Sequence, residues 1–493
     1  MKYNIDLTKR IQELRDHLAR ENRTMLGAVD QFEELDHIAW RMGMLDQHHS
    51  FVTQIQWWPM IACLGTFSAG KSTFINDYLG CKVQATGNQA VDDRFTVICS
   101  GPESDARVLP GRALDADPRF PFYQISLDLE TIGAGEGKRI DRYLQLKSVK
   151  VDRLKGRILI DSPGFDADVT RSGILKISQL IIDRADLVLV FFDARHAEPG
   201  AMQETLRHLV AGTVNRPDSN KFLFILNQID ATSHEDNLEE VTGAWQRAVA
   251  TQGLNSGQFF LIYSEEAATG FESEDQHRRY QRKRDRDLEG INKRIDKVTV
   301  ERTYRVVGNL EVIADRMVEQ WVPTLNQYIR RWRRAVTLSD IAAVIVVIAA
   351  LAFAFIRLFV RDGRLSQPIG QIVTDYQPAL AIIAGGIAVF LIAVHMSAKN
   401  AASRRLVKRI PADDMVDLRA AFRKHTAHWL FPLWRRHPVG WRGSVRTRLE
   451  NVKRAARDLM RQTNDLYARP AGTEPLVADA ASRPARSVES PAN

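Results

Sequence analysis

Cysteine is scarce in this chain: three residues in 493, Cys63, Cys81 and Cys99, with no CxxC spacing among them. An odd set without that spacing excludes a disulfide framework and fits small apolar side chains in a reducing compartment. No glycine–proline repeat is present, which excludes a collagen-like chain, and a hydrophobic content of 45% excludes wholesale disorder. Met1 to Arg10 is polar and no apolar run follows, so no signal peptide is expected. No DNA- or RNA-binding motif accompanies the net charge of +8, and no nucleic acid is expected as a partner. His425 and His428 have no carboxylate or cysteine partner near them in sequence, so no metal is expected there. A mean hydropathy of −0.25 excludes a polytopic transporter. It does not exclude one or two spans, because an average hides local runs.

The chain does have clear changes of period. Its length fits two to four domains at roughly 100–200 residues each. From Leu7 to Leu45 apolar residues recur at helical spacing, which predicts a helical hairpin or one bent helix. Short apolar runs then follow at 60–65, 95–99, 157–161, 186–193, 221–227 and 259–263, with helix-like stretches at 72–80, 172–184 and 236–252. Strands alternating with helices predict an α/β domain with a mostly parallel sheet. Residues 276–336 are charged and helical, 398–468 basic and helical, and 469–493 rich in Ala, Pro and Ser with no apolar period. The last segment is expected to be a disordered tail.

Gly65-Thr66-Phe67-Ser68-Ala69-Gly70-Lys71-Ser72 matches G-x-x-x-x-G-K-[ST] between an expected strand and an expected helix that opens with Thr73. Glycines let backbone N–H groups curl around phosphate oxygens, and the helix N-terminus adds its positive dipole end. Lys71 would bridge β- and γ-phosphate oxygens and the Ser72 hydroxyl would ligate Mg²⁺. Asp161-Ser162-Pro163-Gly164 closes a strand, where a carboxylate can hold Mg²⁺ through water and the Gly164 N–H can sense a γ-phosphate. Asn227-Gln228-Ile229-Asp230 closes another and is similar to N-K-x-D, whose aspartate can accept both guanine N–H groups. Ser264, after a third strand, can supply a backbone contact to the base. All stand in order at the C-terminal edge of the sheet, where open α/β folds bind ligands.

On GTFSAGKSTFIN (65–76), DDRFTVI (92–98), IDSPGF (160–165), RADLVLVFFDARH (184–196) and LNQID (226–230), the sequence resembles the dynamin superfamily. Within it, the sequence resembles EHD-like and bacterial dynamin-like proteins. The resemblance implies a P-loop GTPase domain using GTP and Mg²⁺. It also implies a role for Ser68 in holding a monovalent cation, or an equivalent charge, near the transition state. A site of that kind becomes competent when two nucleotide domains meet, so a homodimer or higher oligomer through this domain is expected. Two departures stand out: Val91 and Asp92 occupy the place of the family's switch-I threonine, with Thr86 and Thr96 offset, and Gln228 replaces the lysine of N-K-x-D. Hydrolysis is therefore expected to be slow. ATP is the alternative nucleotide, because EHD proteins use it.

Ile341 to Val360 is apolar except for Arg357, and Pro378 to Met396 is apolar except for His395. Twenty residues at ~1.5 Å each span roughly 30 Å, one hydrocarbon thickness. The reading is a two-helix transmembrane hairpin that places the chain in a lipid bilayer through 341–360 and 378–396. A buried core hairpin and a paddle that does not span fully are the alternatives. Arg330, Arg331, Arg333 and Arg334 precede the first run, and Lys399, Arg404, Arg405, Lys408 and Arg409 follow the second. Both flanks, the nucleotide domain and both termini are therefore expected in the cytoplasm, most simply of a bacterial cytoplasmic membrane.

The expected organisation is N-terminal helices (1–55), a P-loop GTPase domain (56–270), a bundle helix (276–336), the hairpin (341–396), C-terminal bundle helices (398–468) and the tail. The expected function is a membrane-anchored GTPase that dimerises on nucleotide to remodel, tether or fuse membrane. A non-hydrolysing, nucleotide-gated membrane scaffold and an ATP-using remodeller are the alternatives.

Overall fold

The computed structural model describes residues 4–22, 24–86, 94–117, 120, 122, 125–131, 133–164, 172–196, 219–251, 257–268, 270–357, 377–427, 435 and 437–468. Val91, Asp92, the hairpin loop at 361–375, Trp429, Phe431, Trp434, His428 and the tail lie outside them.

Eight strands make one sheet in the order β3-β4-β2-β5-β1-β6-β7-β8. They are β1 (Met60–Gly65), β2 (Phe95–Ser100), β3 (Arg107–Pro110), β4 (Leu144–Val149), β5 (Ile158–Asp161), β6 (Leu187–Asp193), β7 (Phe222–Asn227) and β8 (Gln258–Leu261). β1 pairs in parallel with β5 and β6, β6 with β7, and β7 with β8, while β2 runs antiparallel to β5 and β3 antiparallel to β4. All six expected strands are present. β3 and β4 were not anticipated: β3 is a four-residue edge strand and mostly exposed, and β4 carries Gln145 and Lys147 inside an otherwise apolar run.

Alternation along β1 shows why the strand is apolar throughout. Met60, Ala62 and Leu64 face one core, and Ile61 and Cys63 face the other. A parallel strand buried on both faces reads as a continuous apolar run. The second core holds Phe74, Ile75, Tyr78 and Leu79 of the phosphate-loop helix (Lys71–Leu79), and also Ile291, Ile295 and Val298 from a helix far along the chain.

That distant helix is the dominant element. It starts at Glu274, passes through a five-residue π-helical stretch at Met317–Trp321 and ends at Phe355, 82 residues in one run. At ~1.5 Å per residue it is roughly 120 Å long. Pro323 lies just past the π-helical stretch and has no N–H to offer the preceding turn, which is a local cause for the widened ladder. The charged helix and the apolar run that the sequence separates are therefore one continuous rod.

Near the sheet the rod is anchored by a buried ion cluster. Asp186, just ahead of β6, accepts from the Met60 backbone N–H at 3.0 Å and from Arg305 Nη1 at 2.7 Å, and pairs with Arg302 Nη2 at 3.3 Å. Farther along, the helix Gly443–Ala468 packs against it, with Tyr304 donating to Asn464 at 2.5 Å and Arg457 pairing with Glu311 at 3.2 Å. The helices Ile5–Glu21 and Thr24–Met42 fold back on each other, with Arg15 between Asp30 and Glu33, and close this bundle. Trp321 is buried, stacks on Phe51 and donates to Asp413 at 2.9 Å.

Beyond Val336 the rod leaves the bundle. It pairs only with the helix Gln377–Val407 among the described residues, and the two have apolar faces open to solvent: Phe353 is 66% and Ile382 75% exposed. Both helices are long and apolar enough to cross a membrane. At their base His395 bonds to Asp340 at 3.0 Å.

Candidate functional site

β1 delivers the chain to Gly65, and the helix resumes at Lys71. Between them the loop turns tightly enough that Gly70 adopts φ +78°, and a Cβ there would lie 2.2 Å from the Asn227 side-chain amide. Gly164 sits equally close over the loop: a Cβ on it would come within 2.7 Å of Phe67 Cα. These two glycines bring the end of β7 and the turn after β5 against the glycine-rich loop. Lys71 is buried, and its Nζ donates to the carbonyls of Gly65 at 3.1 Å and Thr66 at 2.8 Å. The ammonium thus folds back over the loop and rests on the carbonyls at its start.

The Ser72 hydroxyl donates to Asp161 Oδ2 at 3.0 Å, joining the helix start to the end of β5. A hydroxyl and a carboxylate side by side fit Mg²⁺, which takes few protein oxygens and completes its shell with water and phosphate. Among the described residues no larger group of His, Cys, Asp and Glu gathers to hold a metal. Ser162, beside Asp161, is buried as well.

At the base side, Asn227 closes β7 and donates from Nδ2 to the Ala69 carbonyl at 2.9 Å. Gln228 donates from Nε2 to the Ser68 carbonyl at 2.5 Å. Gln228 and Ser68 both adopt left-handed backbone, φ +63° and +59°, and this hydrogen bond ties the two to each other. Side-chain-bearing residues seldom adopt that region unless their surroundings fix it, and such residues cluster at ligand sites. Asp230 is buried one residue beyond Ile229, in a short 3₁₀ turn. Thr73, Asn227, Tyr263 and Ser264 line one recess beside the phosphate-loop helix. Ser264 follows the end of β8 by three residues instead of closing the strand. Burial pushes the Tyr263 phenol up to about 12, and Arg284 of the long helix lies 5.2 Å over its ring.

The structure brings together Gly65, Ser68, Ala69, Gly70, Lys71, Ser72, Asp161, Gly164, Asn227 and Gln228. Thr96, one of the offset threonines, is buried in β2 opposite Asp161 of β5, and its hydroxyl accepts from Gln145 at 2.7 Å.

Three residues had not been singled out. Asn76 holds the strand-like segment after its helix through its side chain, accepting from Val83 N and Gln84 N at 2.9 Å each and donating to the Gln84 carbonyl at 2.9 Å. Gln84 donates from Nε2 to Asp161 Oδ2 at 2.6 Å. Lys147 of β4 donates to Gln84 Oε1 at 2.5 Å and to the Val83 carbonyl at 3.1 Å. All but Asn76 are nearly fully buried, Gln84 at 4% and Lys147 at 9% exposure. A lysine inside the apolar run LQLKSV was the one available signal.

Comparison with known proteins points the same way. Residues 61–229 match the family model described as "Dynamin family". EH domain-containing protein 2 of Arabidopsis thaliana is 26% identical over 212 residues, 42% of this chain and 36% of that protein. EH domain-containing protein 1 of Homo sapiens is 26% identical over 184 residues, 35% of this chain and 31% of that protein. The chain thus spans about a third of the length of these relatives. A solved structure titled as an oligomerised bacterial dynamin pair, with a mechanism for long-range sensing and tethering of membranes, aligns at 13% identity. Its TM-score is 0.34, and the alignment covers 88% of this chain and 79% of that one. The matched stretch runs from β1 to the turn after β7 and contains the loop, carboxylate and amide contacts described above; over these residues the chain is similar to the Dynamin family.

Proposed function

We propose that this protein is a membrane-anchored, dynamin-like GTPase that binds GTP with Mg²⁺ and couples its nucleotide state to the membrane holding its apolar hairpin. The observation that carries the reading is the 82-residue helix, with Tyr280 and Asp287 against the base-reading side and an apolar, exposed far end. Tyr280 Oη lies 3.1 Å from Thr232, two residues past Asp230, and Asp287 accepts from Leu261 N at 2.8 Å. A change at the base or the phosphates therefore meets a rigid element that reaches the hairpin.

Within the site, Lys71 and the loop amides bind phosphate, and Asn227 and Asp230 orient the base. Ser68 stands where the resemblance puts charge stabilisation of the transition state, and Gly164 where it senses the γ-phosphate. Ser72 and Asp161 hold Mg²⁺, which when bound neutralises phosphate charge. Phosphoryl transfer to water needs positioning and charge stabilisation and no covalent intermediate. Pairing of two nucleotide domains completes the site, and the basic residues flanking the hairpin keep this machinery on the cytoplasmic side.

Binding of fluorescent GTP and ATP analogues by the purified chain, each competed with the other, tests the first step. Mg²⁺-dependent binding preferring GTP, lost in Lys71→Ala, is expected; equal displacement by ATP would favour the ATP-using remodeller. The non-hydrolysing scaffold is favoured by Val91 and Asp92 at the switch-I position. Tight GTP binding without turnover on liposomes would establish it instead.

A further inference from the structure

We infer that Gln84 and Lys147 are positioning residues for the Mg²⁺-binding carboxylate. The inference rests on the nucleotide-binding reading above.

Gln84 is fixed at both ends. Its backbone is pinned by two bonds to the Asn76 side chain, with a third from the neighbouring Val83 N–H, and Asn76 belongs to the helix that starts at Lys71. Its side chain is polarised from one side by the Lys147 ammonium and spends its N–H on Asp161 Oδ2, the oxygen that also accepts from Ser72. An amide carbonyl that accepts from an ammonium makes its N–H a better donor, because hydrogen-bonded chains in a low-dielectric interior reinforce one another. The Asp161 carboxylate therefore has a set rotamer and a set hydrogen-bond load before any cation arrives.

The three-link chain Lys147–Gln84–Asp161 crosses from β4 to β5 over the intervening β2, linking parts of the sheet that are not neighbours. A buried lysine is costly unless its donors are satisfied, and two of the three Lys147 donors are spent on Gln84 Oε1 and the Val83 carbonyl. Packing alone would be served more cheaply by an apolar residue at 147, since β4 is buried there.

Groups in contact with metal ligands typically change metal affinity about 10–100-fold when removed. The experiment titrates Mg²⁺ against binding of a fluorescent, non-hydrolysable GTP analogue to the full chain, with thermal melting without nucleotide measured alongside. Gln84→Leu is expected to raise the Mg²⁺ half-saturation point about tenfold while leaving binding in EDTA within about twofold of wild type. Lys147→Met is expected to shift it in the same direction by a smaller factor, and Lys147→Arg, which keeps the donors, to restore it. If Gln84→Leu does not fold, the Lys147 pair carries the test alone. A Mg²⁺ half-saturation unchanged within twofold in the folded variants, whatever their melting temperature, would overturn the inference and leave the nucleotide-binding reading intact. Failure of the wild type to bind nucleotide at all would instead remove that reading.

Discussion

Gln228 stands where the N-K-x-D pattern has a lysine, and its amide donates to the Ser68 carbonyl, clasping the turn after β7 to the glycine-rich loop. One such bond contributes about 1 kcal/mol net. Gln228→Ala is therefore expected to weaken nucleotide binding roughly fivefold, with unchanged circular dichroism, as read by analogue titration. Gly164 gives a steeper test. A Cβ there meets the Phe67 backbone, which cannot turn aside as a side-chain end can. Gly164→Ala should displace the loop and abolish detectable binding in the same assay, and binding at wild-type strength would mean that the turn does not overlie the phosphates. The motif residues were legible at this scale because each comes from a short spacing rule. Gln84 and Lys147 were not, because their partnership joins residues 63 apart, and the lysine inside LQLKSV marks a position without naming its partner.

The long helix and its anchor at Asp186 set the behaviour at the level of elements. Burial lowers Arg302 to about 10 even though Asp186 pulls the other way. Removing one partner of such a pair leaves a charge stranded indoors, at a cost of about 3–5 kcal/mol. Asp186→Asn is expected to lower the urea midpoint of the nucleotide domain accordingly; a midpoint within error of wild type would mean that water reaches the cluster. Periodicity anticipated β1, β2, β5, β6, β7 and β8, because strands buried in a largely parallel sheet are short apolar runs, and even the edge strand β8 is apolar. It did not reveal β3, which is exposed, or β4, whose polar residues turn inward to make contacts. It also divided the long helix at the point where composition changes from charged to apolar, although the hydrogen-bond ladder runs through both halves. What composition records there is a change of surroundings along one rod.

For the whole molecule, the central question is whether the exposed apolar ends meet lipid. An arginine near the middle of a span costs about 2.5–3.5 kcal/mol. Ile348→Arg should therefore raise the fraction extracted from membranes by alkaline carbonate, and equal extraction of variant and wild type would indicate that the helices do not insert. One continuous helix joins that hairpin to the candidate site, so lipid and nucleotide should act on each other. The most direct measurement is GTP turnover by the full chain with and without anionic liposomes, beside Lys71→Ala. Turnover above the Lys71→Ala control, and faster on liposomes, is the expected result. Turnover no greater than that of Lys71→Ala under both conditions would contradict the account.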